Sequence, residues 1–418
     1  REELGVIPPE FIVDLARQSL RDYLAVGSTK SPPVNARKLG VYTRLSEALD
    51  QLESIGAEQA QQFRDAALRE IEDSFIPAFL ALEEHLDYLA TLATPDAGAW
   101  KLPDGEEYYA YMLGLETSTA LTPAEIHELG LDEVRRIQAE MREVLLGLGY
   151  PEEESLSELM DRAVSDAGWF DISTPAGEDQ YLAAIEATIK RAEPAADAVF
   201  DLRPAGQVIV IGGPTGGYYV PGAPDGSRPG SYHVSLGGQW RPRYSMPTVA
   251  YHETAPGHHF QIAIAQELDL PFPRRDIRFT AYTEGWAMYA ERLASELGLY
   301  DDDPYGDLGR LHYELLRAVR LVTDTGIHAM RWSREQAQAY MDQAMGSPPG
   351  RFSYEVDRYV VLPGQATAYK VGMLEILDLR QRAMDRLGDE FDIKQFHNVV
   401  LGSGSLPLGL LERVVDQY

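Results

Sequence analysis

The sequence predicts a mainly α-helical protein with one small antiparallel β region near residues 206–237. Apolar residues recur at spacings of three and four over most of the chain, which is typical of amphipathic helices. Strand-like patterns occur only around VIVIGG and YHVSL. Of the 418 residues, 44% are hydrophobic and 10% are aromatic, which excludes disorder for most of the chain.

The first part of the chain is predicted to be helical with one interruption. Helical spacing extends from Pro8 to about Thr94 and is broken by the turn-rich segment TPDAGAWKLPDGEEYY. A new helix is expected after Thr122, because Thr at the N-cap, Pro at the first helical position and Glu at the third form a strong start signal. Another helix is expected from Gln180 to Ala192.

The β region coincides with a change in composition between about Arg203 and Pro247. VIVIGG has the pattern of a buried strand, YHVSL alternates like a second strand, and the segment between them is dense in Gly and Pro. Helical patterns resume at Val249 and continue to the C-terminus. The sequence has no internal repeat of fixed period and no low-complexity tract.

Charge and cysteine content exclude several classes of function. The chain has 37 Lys and Arg against 66 Asp and Glu, a formal net charge of −29, and no basic run, which argues against nucleic acid or an acidic membrane surface as partner. Because cysteine is absent, disulfides, thiolate catalysis and cysteine-ligated metal sites are excluded. Any metal site must therefore use His, Asp or Glu.

The protein is expected in the cytoplasm, because no signal peptide is visible and no stretch has the roughly 18 to 20 apolar residues that span a bilayer. The chain begins at Arg1 rather than Met, so an exported protein from which an N-terminal signal has been removed is the alternative. No oligomeric state is predicted.

The densest cluster of ionisable groups is HETAPGHH, which extends from His252 to His259. Many zinc proteases carry H-E-x-x-H on a helix, so that two imidazoles face one ion and the Glu activates water. Here the fifth position is Pro256, so that motif is absent. On a straight helix His258 would lie about 240° around and about 9 Å along from His252, and His259 about 10.5 Å along. Neither reaches a shared ion unless the helix is interrupted.

Pro256 and Gly257 supply such an interruption. Proline removes a backbone donor and clashes one turn earlier, and glycine accepts dihedral angles that other residues resist. A bulge of two extra residues would return His258 to the position of a second ligand, so His258 is preferred and His259 is the alternative. The competing interpretation is a helix with a proline break and no metal, against which stand three His and a Glu within eight residues.

A third metal ligand is expected from the segment YTEGWAMYAE. Zinc in hydrolases usually has three protein ligands and leaves a fourth position for water. Glu284, 32 residues after His252, lies in otherwise apolar and aromatic sequence and is the natural candidate. Its alternative role is a solvent-facing glutamate near a helix N-terminus, which is the role expected for Glu291.

Several of these segments resemble the large bacterial domain-of-unknown-function family 885, whose members carry H-E-x-x-P-G-H-H. The segments are HETAPGHH, EGWAMYAE, DTGIHAMRWSREQAQAYM and PGQATAYKVG, and the likeness extends back to LPDGEEYYAYML. The layout is also similar to that of helical gluzincin peptidases, including dipeptidyl peptidase III, whose motif has an insertion before the second His, and to the thermophilic carboxypeptidase group. The resemblance implies a two-lobed, metallopeptidase-like helical fold with a cleft between the lobes.

The two lobes would be a helical N-terminal lobe over residues 1–200 and a metal-binding catalytic lobe over residues 201–418 that contains the β region. One continuous domain is the alternative.

The resemblance also implies roles for four residues at the site. The three ligands of one zinc ion would be His252, His258 and Glu284, and the general base would be Glu253. Such an ion lowers the pKa of bound water to about 7, and a nearby carboxylate then removes the proton as the water attacks a carbonyl. The same His and Glu ligands also suit other divalent metals.

A developing oxyanion needs a hydrogen-bond donor besides the metal. Tyr369 and His328 are the first candidates, because peptidases of this kind commonly use Tyr or His there. Lys370 is a further candidate donor and substrate contact. Each could equally be a buried, hydrogen-bonded core residue.

Substrate contacts are expected from the loop GGYYVPGAPDGSRPGS, which precedes the histidine cluster and contains Tyr218, Tyr219 and Arg228. A strand edge there would pair with an extended peptide, and the alternative is a connecting hairpin. Arg228 and Arg320 are candidates for binding a substrate carboxylate, although arginine also pairs with structural Asp or Glu.

The sequence therefore predicts a zinc-dependent hydrolase of amide bonds, with short peptides or small amides as substrates. Two alternatives are a metal-dependent hydrolase of non-peptide amides or esters, and a helical binding protein in which a metal is structural or absent. A structural zinc site is usually closed by four protein ligands, so His259 would join the site in the last case.

Overall fold

The computed structural model describes residues 2–25 and 34–418, which divide by their packing into two units. The first unit contains the described residues up to Ala97 together with Lys101–Pro103. Its helices are α1 (Glu10–Ala25), α2 (Gly40–Gln51), α3 (Ala57–Glu70) and α4 (Ile76–Ala90). Leu39, Tyr42 and Leu68 belong to its buried core, as the helical spacing of this region requires.

The second unit contains Gly98–Trp100 and Asp104–Tyr418. Its helices before the β region are α5 (Gly105–Thr117), α6 (Pro123–Gly147), α7 (Leu156–Ala167) and α8 (Pro175–Ala196). Its helices after the β region are α9 (Met246–Glu253), α10 (His258–Glu267), α11 (Phe272–Asp276), α12 (Thr280–Glu296), α13 (Pro304–His328), α14 (Arg334–Ala344), α15 (Ser353–Val361), α16 (Ala368–Leu387), α17 (Ile393–Gly402) and α18 (Leu408–Asp416). The mainly helical fold class is confirmed.

Helix α6 starts directly after Thr122, as the sequence predicts. The Thr122 side chain accepts a hydrogen bond from the backbone N–H of Glu125, and the Glu125 carboxylate accepts one from the backbone of Thr122. This reciprocal arrangement satisfies two backbone donors that a helix N-terminus otherwise leaves free.

Helix α6 packs extensively against α13 and so joins the middle of the chain to its C-terminal part. At their crossing a Cβ atom on Gly130 would lie only 2.7 Å from the Cβ of Leu321, so the two backbones approach closely because Gly130 has no side chain. Residues 104–200, which the sequence assigns to the N-terminal lobe, therefore belong to the same unit as residues 201–418.

The predicted β region is present as a three-stranded sheet. Its strands are β2 (Val208–Gly213), β3 (Tyr218–Val220) and β4 (Gly230–Ser235), in the order β2-β4-β3. Strands β3 and β4 pair antiparallel, with Tyr218 opposite His233, whereas β2 pairs parallel with β4. The sheet packs on α8 through Tyr181, Ile185 and Ile189. A second, two-stranded antiparallel sheet joins β1 (Trp169–Asp171) to β5 (Trp240–Pro242), and β1 had no sequence signal.

The core of the second unit is centred on α12. Tyr282, Trp286 and Tyr289 of this helix are fully buried in the hydrophobic core. Helix α12 packs closely along α16, where Gly285 faces Gly372. A Cβ atom on Gly372 would lie 1.9 Å from the carbonyl oxygen of Ala281, so the crossing has no space for a side chain. This packing fixes α12 and the residues that it presents.

Among the described residues, no helix has both the length and the apolar character that a membrane span requires.

We predict that Gly372→Ala lowers the free energy of unfolding by about 3 kcal/mol, because the added methyl group forces α12 and α16 apart. Urea unfolding followed by circular dichroism measures the change. The control is Gly147→Ala in α6, where a Cβ meets nothing within 4 Å, and we expect it to change stability by less than about 1 kcal/mol. Equal stability of the Gly372→Ala variant and the parent would contradict this packing.

Candidate metal centre

The predicted interruption of the helix lies within the histidine cluster. Helix α9 ends at Glu253 and α10 begins at His258, and the Ala255–Pro256 peptide bond between them is cis. A Cβ atom on Gly257 would lie 2.0 Å from the carbonyl oxygen of His252, so only glycine allows the chain to turn back this closely. The indole N–H of Trp286 donates a hydrogen bond to the carbonyl oxygen of Pro256 at 3.0 Å, which attaches the interruption to α12.

The interruption brings His252 and His258 together, and α12 adds Glu284. Oε2 of Glu284 lies 3.5 Å from Nε2 of His252 and 3.4 Å from Nε2 of His258. The three ligand atoms all lie within 4.8 Å of one another. In a tetrahedral zinc site with bonds of about 2.0–2.2 Å, two ligand atoms lie about 3.3–3.6 Å apart. The two separations from Glu284 have this length, so they are compatible with ligands of one tetrahedral divalent ion.

The third histidine of the cluster points elsewhere. Nδ1 of His259 lies 2.9 Å from the Tyr219 hydroxyl, and Nε2 lies 3.1 Å from the carbonyl oxygen of Gly206. Burial lowers the pKa of His259 to about 4, which is consistent with a neutral ring that accepts from the phenol and donates to the carbonyl. Both ring nitrogens are therefore engaged away from His252 and Glu284.

Glu291 is not the solvent-facing residue that the sequence predicted. It is 2% exposed, and its Oε1 accepts a hydrogen bond from Nδ1 of His252 at 2.7 Å. Nη2 of Arg317 donates to the same oxygen at 3.3 Å. Glu291 lies two helical turns after Glu284 on α12, so one helix supplies both carboxylates that contact His252. A carboxylate in this place fixes the ring so that Nε2 faces the Glu284 side.

Glu253, the last residue of α9, borders the three clustered residues. It is 6% exposed and lines the same cavity, and its carboxylate has no hydrogen-bond or ion-pair partner in the part of the chain that the structure describes. Burial raises the pKa of Glu253, an effect that the neighbouring His252 and His258 partly offset. A buried, unpaired carboxylate beside a candidate metal site is suited to accept a proton.

The electrostatic environment favours a positive charge between these residues. Burial lowers the pKa of His252, but its contacts with Glu284 and Glu291 outweigh burial and raise this pKa to about 9. Burial raises the pKa of Glu284, yet His258 and His252 hold that pKa well below its usual range. Two buried atoms here, Nδ1 of His258 and Oε2 of Glu284, lack hydrogen-bond partners in the described chain.

The cluster opens into a cavity of about 590 Å³. Four residues predicted to contact the substrate or oxyanion line this cavity together with the cluster: Tyr218, Tyr219, Arg320 and Tyr369. Six lining residues with polar or charged side chains were missed by the sequence analysis: Arg278, Thr280, Thr283, Arg317, Arg358 and Gln365. Arg317 could have been found from the sequence, because it is a charged residue in the apolar segment LLRAVRLV, three residues before Arg320.

Three predicted site residues do not reach the cavity. His328 is fully buried in the core, where its Nδ1 accepts from the backbone N–H of Ala99 and its Nε2 donates to the carbonyl oxygen of Tyr359. The Lys370 ammonium is also fully buried and pairs with Glu314 at 2.6 Å and Glu133 at 2.8 Å. Arg228 is exposed and contacts the carbonyl oxygen of Pro229. His328 and Lys370 are thus the buried, hydrogen-bonded core residues left open as their alternative, whereas Arg228 pairs with no Asp or Glu among the described residues.

The family model of bacterial proteins of unknown function, DUF885, matches residues 1–415. The chain belongs to this family. No curated protein matches the chain significantly.

Two solved structures are similar to this DUF885 chain. A candidate lipoprotein from Colwellia psychrerythraea shares 36% sequence identity with a TM-score of 0.92, and the match covers 100% of this chain and 71% of that one. A candidate lipoprotein of unknown function from Shewanella oneidensis shares 18% identity with a TM-score of 0.73, over 97% of this chain and 73% of that one. The second similarity shows the fold alone.

We predict that Glu291→Ala lowers the free energy of unfolding by about 3 kcal/mol, because it leaves the buried side chains of His252 and Arg317 without their shared partner. Urea unfolding in the presence of a chelator measures this effect without bound metal. The matched control is Glu143→Ala on the exposed face of α6, which we expect to change stability by less than about 0.5 kcal/mol. A loss no larger than that of the control would show that Glu291 has no such role.

Proposed function

We propose that this DUF885 protein is a zinc-dependent hydrolase of amide bonds, with His252, His258 and Glu284 as the ligands of one ion. The observation that carries the proposal is the approach of these three side chains beside the buried, unpaired carboxylate of Glu253. Three protein ligands leave a tetrahedral ion one position for water, which is the arrangement of catalytic rather than structural zinc. The gluzincin-like layout of the sequence supports the same function.

A bound ion of this kind supplies an acidified water and polarises the substrate carbonyl. Glu253 then has the role of general base, since its carboxylate borders the cluster and has no other partner among the described residues. Glu291 holds the His252 ring through Nδ1, so that Nε2 stays directed at the ligand cluster.

Tyr369 has the role of hydrogen-bond donor to the developing oxyanion. It lines the cavity, and the guanidinium of Arg320 lies 4.9 Å from the centre of its ring. That cation lies over the phenol and limits the movement of the ring. Of the two donors ranked first from the sequence, Tyr369 alone lines the cavity, because both nitrogens of His328 are engaged with the backbone.

Short peptides are the proposed substrates. The cavity of about 590 Å³ has the size of a small-ligand site, and the β3 residues Tyr218 and Tyr219 form part of its wall.

Hydrolysis of a non-peptide amide or ester uses the same groups and is the alternative. A purely structural metal is disfavoured, because His259 is engaged with Tyr219 and Gly206 and does not close the site.

We further propose that the protein acts outside the cytoplasm. The Colwellia psychrerythraea structure, which is 36% identical to this chain, is of a candidate lipoprotein, and this supports export rather than the cytoplasmic location expected from the sequence.

We predict that the protein purified without chelator binds about one zinc ion per chain and that His252→Ala loses it. Elemental analysis after dialysis against a trace of zinc measures the stoichiometry. As the control, His85→Ala replaces a partly exposed histidine of α4 and should keep the ion. The proposal fails if the parent protein takes up no metal, or if His252→Ala binds it as well as the parent.

We predict that Glu253→Gln keeps the metal but lowers kcat by about 10²- to 10⁴-fold, because glutamine cannot accept the proton of the attacking water. Cleavage of a library of short peptides, followed by mass spectrometry, first identifies a substrate, and steady-state kinetics then compares the variants. Glu143→Gln on the surface of α6 is the control and should cleave at the parent rate. Cleavage by Glu253→Gln at the parent rate would show that another group is the base.

A further inference from the structure

The cavity beside the metal cluster is rich in arginine, although the protein as a whole has a net charge of −29. In the part of the chain that the structure describes, four arginines line it: Arg278, Arg317, Arg320 and Arg358. The carboxylates that line the same cavity are Glu253 and Glu284, both at the metal cluster. The remaining wall of the cavity is therefore positively charged.

Three of these arginines form a series that begins at the metal cluster. Arg317 contacts Glu291, which in turn holds His252, and Arg320 lies one helical turn farther along α13. Arg320 and Arg358 share one carboxylate, since Nη2 of Arg320 lies 3.0 Å and Nη1 of Arg358 lies 3.5 Å from Oε2 of Glu355. One carboxylate cannot neutralise both guanidinium groups, so one positive charge remains.

A charge count gives two unmatched cations. Glu291 balances Arg317, and Glu355 balances one member of the pair Arg320 and Arg358. Arg278 has no hydrogen-bond or ion-pair partner among the described residues, and its side chain is exposed at the cavity. If a divalent ion balances Glu253 and Glu284, as the proposed function requires, the cavity keeps about two positive charges.

Several hydrogen-bond donors of the lining residues have no partner in the described chain. Nη1 of Arg320 makes no hydrogen bond to the described residues, whereas its Nε donates to the Tyr359 hydroxyl at 3.1 Å and its Nη2 donates to Glu355. Arg317 is 7% exposed, and its buried Nε has no partner in the described chain. The buried hydroxyl of Thr283, another lining residue, also lacks one. Buried polar groups are usually hydrogen-bonded, so these donors are available to a polar ligand in the cavity.

Arg320 is positioned before any ligand arrives. Tyr359 and Glu355 fix its guanidinium at two nitrogens, and the ring of Tyr369 lies 4.9 Å from its central carbon. A guanidinium held in this way loses little freedom when it binds a carboxylate through its remaining donors. The same ring carries the hydroxyl that we assign to the oxyanion, so the anion-binding group lies next to the reacting group.

We call the four lining arginines, Arg278, Arg317, Arg320 and Arg358, the arginine wall. We infer that this arginine wall binds a carboxylate of the substrate, with Arg320 as the fixed anchor and Arg278 as a second, exposed cation. The inference deepens the proposed function and rests on it for the position of the scissile bond. The carboxylate has two possible sources in a peptide, the C-terminal α-carboxylate and an Asp or Glu side chain. The former makes the enzyme a carboxypeptidase, and the latter makes it selective for acidic residues.

The test measures binding separately from cleavage. Isothermal titration calorimetry with zinc-loaded Glu253→Gln compares tetra-alanine as free acid, tetra-alanine amide, and an amide in which one alanine is replaced by glutamate. We expect at least one carboxylate-bearing peptide to bind about tenfold or more tightly than tetra-alanine amide, as a charge-assisted hydrogen bond provides. Preference for the free acid identifies the C-terminal carboxylate, and preference for the glutamate peptide identifies the side chain. Equal affinity for all three peptides overturns the inference.

Variants of the arginine wall test whether the carboxylate preference depends on these arginines. Arg320→Gln in the same background should reduce the carboxylate preference about tenfold. Because this change leaves Glu355 with fewer partners, Arg278→Gln serves as a second variant that alters an exposed side chain and should reduce the preference several-fold. Arg135→Gln removes the same charge from an exposed arginine of α6 that does not line the cavity, and it should leave the preference unchanged. An unchanged preference in both wall variants also overturns the inference.

Failure of the inference and failure of the proposed function are distinguishable. Carboxylate-dependent binding by a protein that cleaves no peptide supports the anion site and contradicts the hydrolase. The opposite result is cleavage at the same rate for free-acid and amide peptides without acidic residues, and no faster cleavage when glutamate is added to the peptide. That result supports the hydrolase and contradicts the anion site.

Discussion

The arrangement of the candidate site depends on one backbone constraint, the close return of the chain between Glu253 and His258. An uninterrupted helix would place His258 on the wrong face and about 9 Å along from His252. The turn is possible because Gly257 approaches the carbonyl oxygen of His252 more closely than any side chain allows. The hydrogen bond from Trp286 to Pro256 then fixes the turn against the central helix α12.

The rest of the fold supports this turn by holding two long helices beside it. Helix α12 supplies Glu284 and Glu291, and its position is set by the close glycine contact with α16. Helix α13 supplies Arg317 and Arg320 and is held by its long packing against α6. Rigid helices packed through small residues keep polar side chains in place without strain at the site. The fold thus lines one cavity with carboxylates from α9 and α12 and with guanidinium groups from α13.

Elements whose start or end depends on neighbouring residues could be predicted from the sequence. The capping residues Thr122 and Glu125 mark the start of α6, and the Pro256–Gly257 pair marks the interruption that brings His252 and His258 together. The small β region was also found from its pattern. The parallel pairing of β2 with β4 was not predicted, because the pattern within one strand does not show in which direction a strand distant in sequence pairs with it.

Residues whose role depends on burial were interpreted less well. His328 and Lys370 carry groups common in active sites, but their partners are Ala99, Glu314 and other residues that lie far away in sequence. Glu291 was expected to face solvent, yet tertiary packing places it against His252 and Arg317. One-dimensional patterns indicate which face a side chain occupies on its helix, and not what packs against that face.

The most direct test of the account is a crystal structure of the protein soaked in zinc, with anomalous scattering recorded on both sides of the zinc absorption edge. The account predicts one strong peak about 2.0–2.2 Å from Nε2 of His252, Nε2 of His258 and the Glu284 carboxylate, with the remaining position filled by water. A peak elsewhere, or an ion closed by a fourth protein ligand such as His259, would contradict it.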